Sequence, residues 1–290
     1  MIIVLGGSGF VGSAICRALR AAGLPFRSLS RAEIRYDDRG LLRQFLTELQ
    51  PQFLINAAGY TGRPNVDACE LHKTECLDGN AVLPGVIREV CEDIRLPWGH
   101  VSSGCIFTGT RPDGAGFTEE DPANFCFRTN NCSFYSGTKA LGEELLQGAE
   151  QCFVWRLRIP FSEIDSPRNY LSKLMKYERL LEATNSLSQL NEFAEACVDS
   201  WRRRIDFGIY NLTNPGSITT HQVTEMILRH KLSAGPFQFF ASDSEFMQLA
   251  AKTPRSNCVL DSTKALRAGL KLTPVDEAVD MALRNWVAGC

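Results

Sequence analysis

A glycine-rich segment directly behind the first apolar run is the feature that most constrains how this chain folds. The run Ile2–Leu5 has the length and composition of a short buried strand, and glycines stand at positions 6, 9 and 12 immediately after it. This spacing permits a tight turn, a close approach of another group to the backbone, and close packing of a helix against a strand. We therefore predict a strand, a tight turn and a helix over Phe10–Ala22.

Short apolar runs alternate with helical patterns throughout the first half of the chain. Strands are predicted at 2–5, 26–29, 53–56, 98–102 and 152–157, and helices at 10–22, 41–49, 80–91 and 135–146. Strands that alternate with helices form parallel βαβ units with right-handed crossovers. The pattern predicts an α/β fold, a doubly wound parallel sheet of the Rossmann type.

The glycine segment also predicts a ligand, because the amide groups at the start of the following helix face phosphates in such folds. The alternative is a purely structural turn. At the end of the second strand, an acidic residue binds the ribose of NAD, whereas an arginine accommodates the 2′-phosphate of NADP. Arg31 stands there and Glu33 comes slightly late, so we expect NADPH, with NADH as the alternative. The expected cofactor contacts are Gly6, Ser8, Gly9, Phe10, Val11, Gly12, Ser30, Arg31, Asn56, Ala57, Ala58, Gly59, Tyr135 and Lys139.

The second half of the chain is less regular. Helices are predicted at 170–181, 187–202 and 274–286, and a strand at 209–212. With no low-complexity linker present, this half should pack against the first as a cap. We expect an NAD(P)-binding Rossmann domain over 1–158 and a smaller, interleaved substrate-binding region over 159–290. A strand near 208–212 would return to the Rossmann sheet.

Charge and cysteine content narrow the class of protein. The formal net charge of −2 over 290 residues gives no indication of a nucleic-acid partner or an anionic membrane surface. Eleven cysteines occur without a Cys-x-x-Cys pair or a zinc-type spacing, so we expect no metal and a reducing cytoplasm. Neither a basic leader nor a long apolar stretch is present, so we expect no signal peptide and no membrane span.

A tyrosine and a lysine four residues apart indicate carbonyl chemistry. Tyr135 and Lys139 would share one face of a helix, and a lysine ammonium should lower the tyrosine pKa toward neutrality. Tyr135 would then act as general acid for a carbonyl that is being reduced. Ser103 ends the fourth strand, at the sheet edge where ligands bind, and its hydroxyl would bond to the same carbonyl oxygen.

Together, these motifs resemble those of extended short-chain dehydrogenase/reductases that act on nucleotide sugars. The likeness is greatest to dTDP-4-dehydrorhamnose reductases and to bifunctional NDP-4-keto-6-deoxyglucose 3,5-epimerase/4-reductases of the nucleotide-rhamnose pathway. It implies epimerisation and NADPH-dependent reduction of a nucleotide sugar to NDP-L-rhamnose. Beyond the motifs above, it is carried by TGRPNVD (61–67), GCIF (104–107), FYS (134–136), PRN (167–169), TNPG (213–216) and PRSN (254–257).

The resemblance further implies a cysteine just after the catalytic serine or threonine, and a lysine or histidine on the helix after the fifth strand. The matching positions are Cys105 and Lys173. A 4-keto sugar has acidic protons at C3 and C5, and epimerisation needs a base on one face and an acid on the other. The alternatives are a buried apolar thiol and a solvated lysine.

Four further residues are candidate substrate contacts. Arg63 and Asn65 follow the third strand, whereas Asn169 and Arg255 are candidates for the sugar and the pyrophosphate, for which a guanidinium is well suited. Each of them has a structural loop role as its alternative. By analogy with related folds, we expect a homodimer formed through the helices near 80–91 and 135–146.

Two other functions remain open at this stage. A 4-reductase without epimerase activity would not need Cys105 and Lys173. A non-catalytic regulatory subunit on the same fold would not need Ser103, Tyr135 and Lys139 together.

Overall fold

The computed structural model describes residues 1–289, in which helices surround a central sheet. The strands are β1 (Ile2–Leu5), β2 (Phe26–Leu29), β3 (Phe53–Asn56), β4 (Trp98–Ser103), β5 (Cys152–Leu157), β6 (Pro160–Phe161), β7 (Arg179–Leu180), β8 (Thr184–Asn185), β9 (Ser188–Gln189), β10 (Gly208–Asn211), β11 (Ile218–Thr219) and β12 (Gln238–Phe239). The helices are α1 (Phe10–Ala21), α2 (Arg39–Leu49), α3 (Lys73–Leu77), α4 (Leu83–Asp93), α5 (Phe134–Leu145), α6 (Tyr170–Lys176), α7 (Leu190–Arg202), α8 (Thr220–Arg229), α9 (Asp243–Leu249), α10 (Thr263–Arg267) and α11 (Val275–Arg284).

Six of the strands form the central sheet in the order β2-β1-β3-β4-β5-β10, and every neighbouring pair runs parallel. The strand β2 lies on one side of β1, and the later strands are added on the other side. Ligands of such sheets bind at the carboxyl ends of the strands, where the order of addition reverses. The observed sheet confirms the predicted doubly wound α/β fold.

Both faces of the sheet are covered, as the continuous apolar runs require. Side chains alternate along β1, so Ile2 and Val4 pack with residues of α1 and α7 on one face. Ile3 and Leu5 pack with residues of α2 and α4 on the other face. Within residues 1–289, none of the helices combines the length and the apolar character that crossing a membrane requires.

The second half of the chain contributes buried residues to three cores, one of them through Cys258 and Leu260. The strand β10 pairs with β5, and residues of α7 join the cluster that also holds α1. A further core is built entirely from residues beyond 158, and includes Phe161, Leu171 and Val279. The domain boundary at 158 stays a prediction, since the chain beyond it both extends the Rossmann sheet and builds a core of its own.

Three predicted helices differ from the structure by three residues or more at one end. The helix predicted over 80–91 is the end of a longer helical run, in which α3, a π-helical turn at Asp78–Val82 and α4 follow one another. The helix predicted over 170–181 ends at Lys176, because Arg179 and Leu180 pair with β12. The helix predicted from 187 begins at Leu190, because the two residues before it pair with β6.

A buried ion pair joins α5 to the sheet. Arg156 of β5 bonds to Glu143 of α5 through Nε (3.0 Å) and Nη2 (2.7 Å), and both side chains are more than nine-tenths buried. The hydroxyl of Ser102, in β4, donates to the same carboxylate at 2.5 Å. One carboxylate therefore ties a helix to two neighbouring strands at the carboxyl edge of the sheet.

Removing one charge of this buried pair should destabilise the protein more than removing both charges. Arg156→Met leaves the Glu143 carboxylate buried without its cation, and should lower the free energy of unfolding by about 3–5 kcal/mol. Urea denaturation measures the loss. The double variant Glu143→Leu/Arg156→Met should recover most of it, because no uncompensated charge remains.

The matched control is Arg128→Met, which breaks the ion pair between Arg128, an exposed residue before α5, and Glu144 of α5. Its effect should be much smaller, because solvent screens that pair. Losses that simply add in the double variant would contradict the prediction.

Candidate active site

One large cavity opens at the carboxyl ends of β1, β3, β4 and β5, and the second half of the chain forms its other wall. Its volume of about 1590 Å³ exceeds the roughly 300–1,000 Å³ of a single-ligand pocket, and leaves room for two ligands side by side. The predicted site residues that line it are Ser8, Gly9, Phe10, Val11, Ala57, Ala58, Gly59, Arg63, Asn65, Ser103, Cys105, Tyr135, Lys139, Lys173 and Arg255.

The glycine loop is shaped by close backbone contacts. Gly6 has φ of 74°, and a Cβ there would lie 2.6 Å from the backbone nitrogen of Ala58. A Cβ on Gly12 would collide with the carbonyl oxygen of Gly6. No side chain caps α1 at Gly9, and its first turn holds no acidic residue, so its free amide groups can receive phosphates.

The turn after β3 is held by buried amides. Asn56 is fully buried and receives the backbone N–H of Ala58 at 3.0 Å, so its side chain shapes the turn and does not line the cavity. Asn80, in the π-helical turn, bonds to the backbone of Tyr60 through both its oxygen (2.9 Å) and its nitrogen (2.8 Å). It also donates to Thr138 of α5 at 3.2 Å, which links this turn to the helix that carries Tyr135.

The end of β2 presents both an arginine and a carboxylate. The backbone N–H and the hydroxyl of Ser30 donate to Glu33 at 2.8 and 2.9 Å, and these bonds lower the pKa of the Glu33 carboxyl. The Arg31 guanidinium lies over the ring of Tyr36, 5.6 Å from its centre. Sequence reasoning set Glu33 aside as too late in the chain, but the turn brings its carboxylate back to the strand end.

Two local caps place the serine, tyrosine and lysine. Ser103 accepts the backbone N–H of Cys105 at 3.2 Å and so begins a short 3₁₀ helix over Gly104–Ile106. Ser133 caps α5, so that Tyr135 and Lys139 fall in its first two turns. The ammonium of Lys139 donates to the carbonyl of Val101 at 3.2 Å, which points it toward β4.

Removal from water shifts the pKa values of Tyr135 and Lys139. It raises the pKa of Tyr135 well above its ordinary value, although a bond to Ser103 opposes the shift, and it lowers the pKa of Lys139. The expectation that Lys139 brings the tyrosine pKa toward neutrality is therefore wrong, because burial and the neighbouring Cys105 raise the pKa of Tyr135. Tyr135 keeps its proton, as a proton donor must.

Cys105 and Lys173 line the same cavity, from the turn after β4 and from α6. Burial raises the pKa of the Cys105 thiol, while the Ser103 hydroxyl and the Arg158 charge oppose that shift. Burial also lowers the pKa of Lys173, and the positive charge of Arg168 adds to the effect. The thiol is therefore held protonated, and the amine is shifted toward its neutral form.

Three of the four further predicted substrate contacts line the cavity, and one does not. Arg63 is exposed on the cavity wall, and Asn65 lines it while accepting the backbone N–H of Asp67 at 2.9 Å. Arg255 also lines the cavity, but its guanidinium makes two 2.7 Å bonds to Asp67. Asn169 is fully buried and caps α6, with its amide bonded to Ser162 and Ile164, so the structure gives it a local role in place of the predicted contact.

Sequence reasoning missed the charged residues Arg158, Arg168, Lys176, Glu178 and Arg179 of the cavity lining, of which only Arg158 is buried. Arg158 follows the last residue of β5, is 6% exposed and lines the cavity. The available signal was its position, because the carboxyl ends of β4 and β5 are adjacent in the predicted sheet.

Comparisons with known proteins place this architecture in a family. Residues 1–287 match the family described as the RmlD substrate binding domain. The chain belongs to this family. The bifunctional dTDP-4-dehydrorhamnose 3,5-epimerase/dTDP-4-dehydrorhamnose reductase of Arabidopsis thaliana is 32% identical over 282 residues, which cover 96% of this chain and 90% of that protein. The trifunctional rhamnose enzyme RHM1 of the same plant is 31% identical, and this RmlD-family chain spans only 40% of its length.

Solved structures agree with the fold of this RmlD-family chain. The L780 UDP-rhamnose synthase of Acanthamoeba polyphaga mimivirus has a TM-score of 0.89 at 22% identity, with 98% of each chain covered. The dTDP-4-dehydrorhamnose reductase of Bacillus anthracis, solved with NADP, has a TM-score of 0.77 at 16% identity, with 97% of this chain and 96% of that chain covered. The comparisons confirm the predicted family, the Rossmann-type fold and the prediction of an oxidoreductase.

The close packing of Gly12 in the glycine loop predicts that adding a methyl group there weakens NADPH binding. Gly12→Ala must move α1 away from the Gly6 carbonyl, so the NADPH dissociation constant should rise at least about tenfold, or roughly 1.4 kcal/mol. Fluorescence titration of NADPH measures the change. Gly235→Ala is the control, because a Cβ there meets no atom within 4 Å. Equal affinities of the two variants would contradict the role given to the loop.

Proposed function

We propose that the protein converts an NDP-4-keto-6-deoxyglucose to NDP-L-rhamnose by 3,5-epimerisation and NADPH-dependent reduction of the 4-keto group. The observation that carries the proposal is one cavity lined by two sets of groups. Ser103, Tyr135 and Lys139 suit carbonyl reduction, while Cys105 and Lys173 suit proton exchange at carbon. The 3,5-epimerase and reductase activities named for the Arabidopsis relative support this pairing.

The residues of the glycine loop fit a dinucleotide. The uncapped start of α1 can receive the pyrophosphate, and the small residues at 6, 9 and 12 allow close approach to the backbone. When bound there, NADPH supplies the hydride for C4 of the sugar. Arg31 at the end of β2 would select the 2′-phosphate, and the Glu33 carboxylate beside it keeps NADH as the alternative.

For the reduction, Tyr135 is the proton donor to the C4 oxygen. Its raised pKa keeps the phenol protonated until charge develops on that oxygen. The Ser103 hydroxyl would bond to the same oxygen and hold it near the phenol. Lys139 lines the cavity together with Ser103 and Tyr135, and its ammonium donates to the Val101 carbonyl of β4.

For the epimerisation, the shifted pKa values assign the two roles. The neutral amine of Lys173 removes a proton from C3 or C5, and the electron pair of the broken C–H bond passes into an enolate. The Cys105 thiol then gives its proton to the opposite face of that carbon. The step leaves an ammonium on Lys173 and a thiolate on Cys105, so the protons and charges balance.

A solvent-exchange assay tests both halves of the reaction. The protein is incubated with UDP- or dTDP-4-keto-6-deoxyglucose in deuterated water, with and without NADPH. Deuterium should enter C3 and C5 without NADPH, and NADPH should be oxidised when it is present. The variants Cys105→Ser and Lys173→Met should each lose about 10²–10⁴-fold of the exchange, whereas Tyr135→Phe should lose reduction and retain exchange.

Cys132→Ser is the control, because this thiol is partly exposed and does not line the cavity. The absence of deuterium at C3 and C5 would leave a 4-reductase alone. The absence of NADPH oxidation would overturn the reductase half, and a Tyr135→Phe variant with full activity would favour a regulatory subunit.

The pKa directions predict a bell-shaped pH dependence of the exchange. Exchange should rise as the pH passes the lowered pKa of Lys173, because the ammonium loses its proton and becomes a base. It should fall as the pH passes the raised pKa of Cys105, because a thiolate has no proton to give. Deuterium incorporation between pH 5 and 11, with the Lys173→Met rate subtracted as the uncatalysed rate, measures both limbs.

The variant Lys173→His should move the acidic limb to lower pH, because an imidazole has a lower pKa than an amine. An acidic limb that stays in place would show that Lys173 is not the base.

A further inference from the structure

Arg158 lies behind the turn that carries Ser103 and Cys105. A Cβ built on Gly104 would lie 3.5 Å from Cδ of Arg158, so the arginine stem packs against this turn. The side chain lines the cavity beside Cys105 while only 6% of the residue is exposed. A permanent positive charge is therefore held, largely out of water, next to the proposed proton donor.

The guanidinium of Arg158 is anchored but not neutralised. Its Nη2 donates to Asn185 Oδ1 at 2.7 Å and to the carbonyl of Ser256, while its buried Nε has no partner. Two residues earlier, Arg156 has Glu143 as a carboxylate partner. Across residues 1–289, no carboxylate oxygen lies within 4.0 Å of a nitrogen of Arg158. A buried cation held in this way is costly, and an anion formed beside it is stabilised.

The anion that the proposed epimerisation creates at this place is the Cys105 thiolate. We propose that Arg158 is a positioning residue for Cys105, and that it stabilises the thiolate left when Cys105 gives its proton to the sugar carbon. The inference rests on the proposed epimerase function, which it deepens. In that step the S–H bond breaks, a C–H bond forms, and the electron pair stays on sulfur.

Lys139 of α5 is the other positive charge that acts on the Cys105 thiol, and it lowers the pKa of that thiol less than Arg158 does. The groups that act on the Cys105 thiol or lie beside its turn are Ser103 at the end of β4, Tyr135, Ser136 and Lys139 of α5, Cys69 of the 3₁₀ helix Val66–Glu70, Cys258 and Arg158.

Two variants of Arg158 separate charge from anchoring. Arg158→Gln removes the charge and should lower deuterium exchange at C3 and C5 about 10²-fold. Arg158→Lys keeps a charge but not the two-acceptor geometry of the guanidinium, and should retain exchange within about tenfold of the wild type. Both should reduce pre-epimerised NDP-4-keto-L-rhamnose at a kcat within a few-fold of wild type, because Tyr135 carries that step. Arg284→Gln, at an exposed helix position, is the control.

The pH profile provides a readout that a purely structural role would not move. Loss of the Arg158 charge raises the pKa of Cys105 further, so the alkaline limb of exchange should shift to higher pH in Arg158→Gln and shift less in Arg158→Lys. Thermal melting of each variant shows whether it folds. If Arg158→Gln does not fold, the exchange rate and alkaline limb of Arg158→Lys still decide the question.

Four outcomes would overturn the inference. Full exchange in Arg158→Gln shows that the charge is not needed. Equal losses in exchange and reduction, with KM raised in both, show that Arg158 binds the substrate pyrophosphate. Equal losses in Arg158→Gln and Arg158→Lys with unmoved limbs show a structural role. Absence of exchange in the wild type overturns the epimerase proposal itself, and this inference falls with it. The other outcomes are read only when the wild type exchanges deuterium, so the two failures can be told apart.

Discussion

The ion pair between Glu143 and Arg156 is the interaction on which the geometry of the cavity depends. Glu143 and the two residues that bond to its carboxylate are each close in the chain to a site residue. Ser102 precedes Ser103, Glu143 lies one turn after Lys139 on α5, and Arg156 stands two residues before Arg158. Because both charges are buried, neither partner can move away without leaving the other uncompensated. Three elements of the site are thereby held in one arrangement at the carboxyl edge of the sheet.

Removal from water determines the chemistry of the groups gathered there. Burial raises the pKa of the two acids, Tyr135 and Cys105, and lowers the pKa of the two amines, Lys139 and Lys173. All four shifts favour the neutral form, which is what burial does to an isolated charge. A protonated phenol, a protonated thiol and a neutral Lys173 amine are the forms that the proposed proton transfers need. Arg158 stands apart, since a guanidinium keeps its charge even when buried.

Much of the fold and part of the site could be predicted because they rest on contacts between residues close in the chain. The glycine spacing, the apolar runs of β1 to β5 and the start of α5 are local signals, and the elements appear in the structure within one residue of the predicted bounds. The helix predicted to reach residue 181 was wrong because Arg179 and Leu180 pair with β12, some sixty residues away. A local pattern carries no information about such a partner.

The sequence by itself determined a Rossmann-type sheet, a loop for a dinucleotide, and a serine, tyrosine and lysine at one sheet edge, because strand order and helical spacing bring them there. The structure showed two local contacts that the sequence analysis did not assign, the Asn169 cap of α6 and the return of Glu33 to the end of β2, but only the tertiary structure decided that Arg255 is paired with Asp67. It also decided that Tyr135 keeps its proton and that Arg158 has no carboxylate partner within residues 1–289. Desolvation and charge compensation depend on groups distant in the chain, such as Ser256 beside Arg158, and these meet only when the chain has folded.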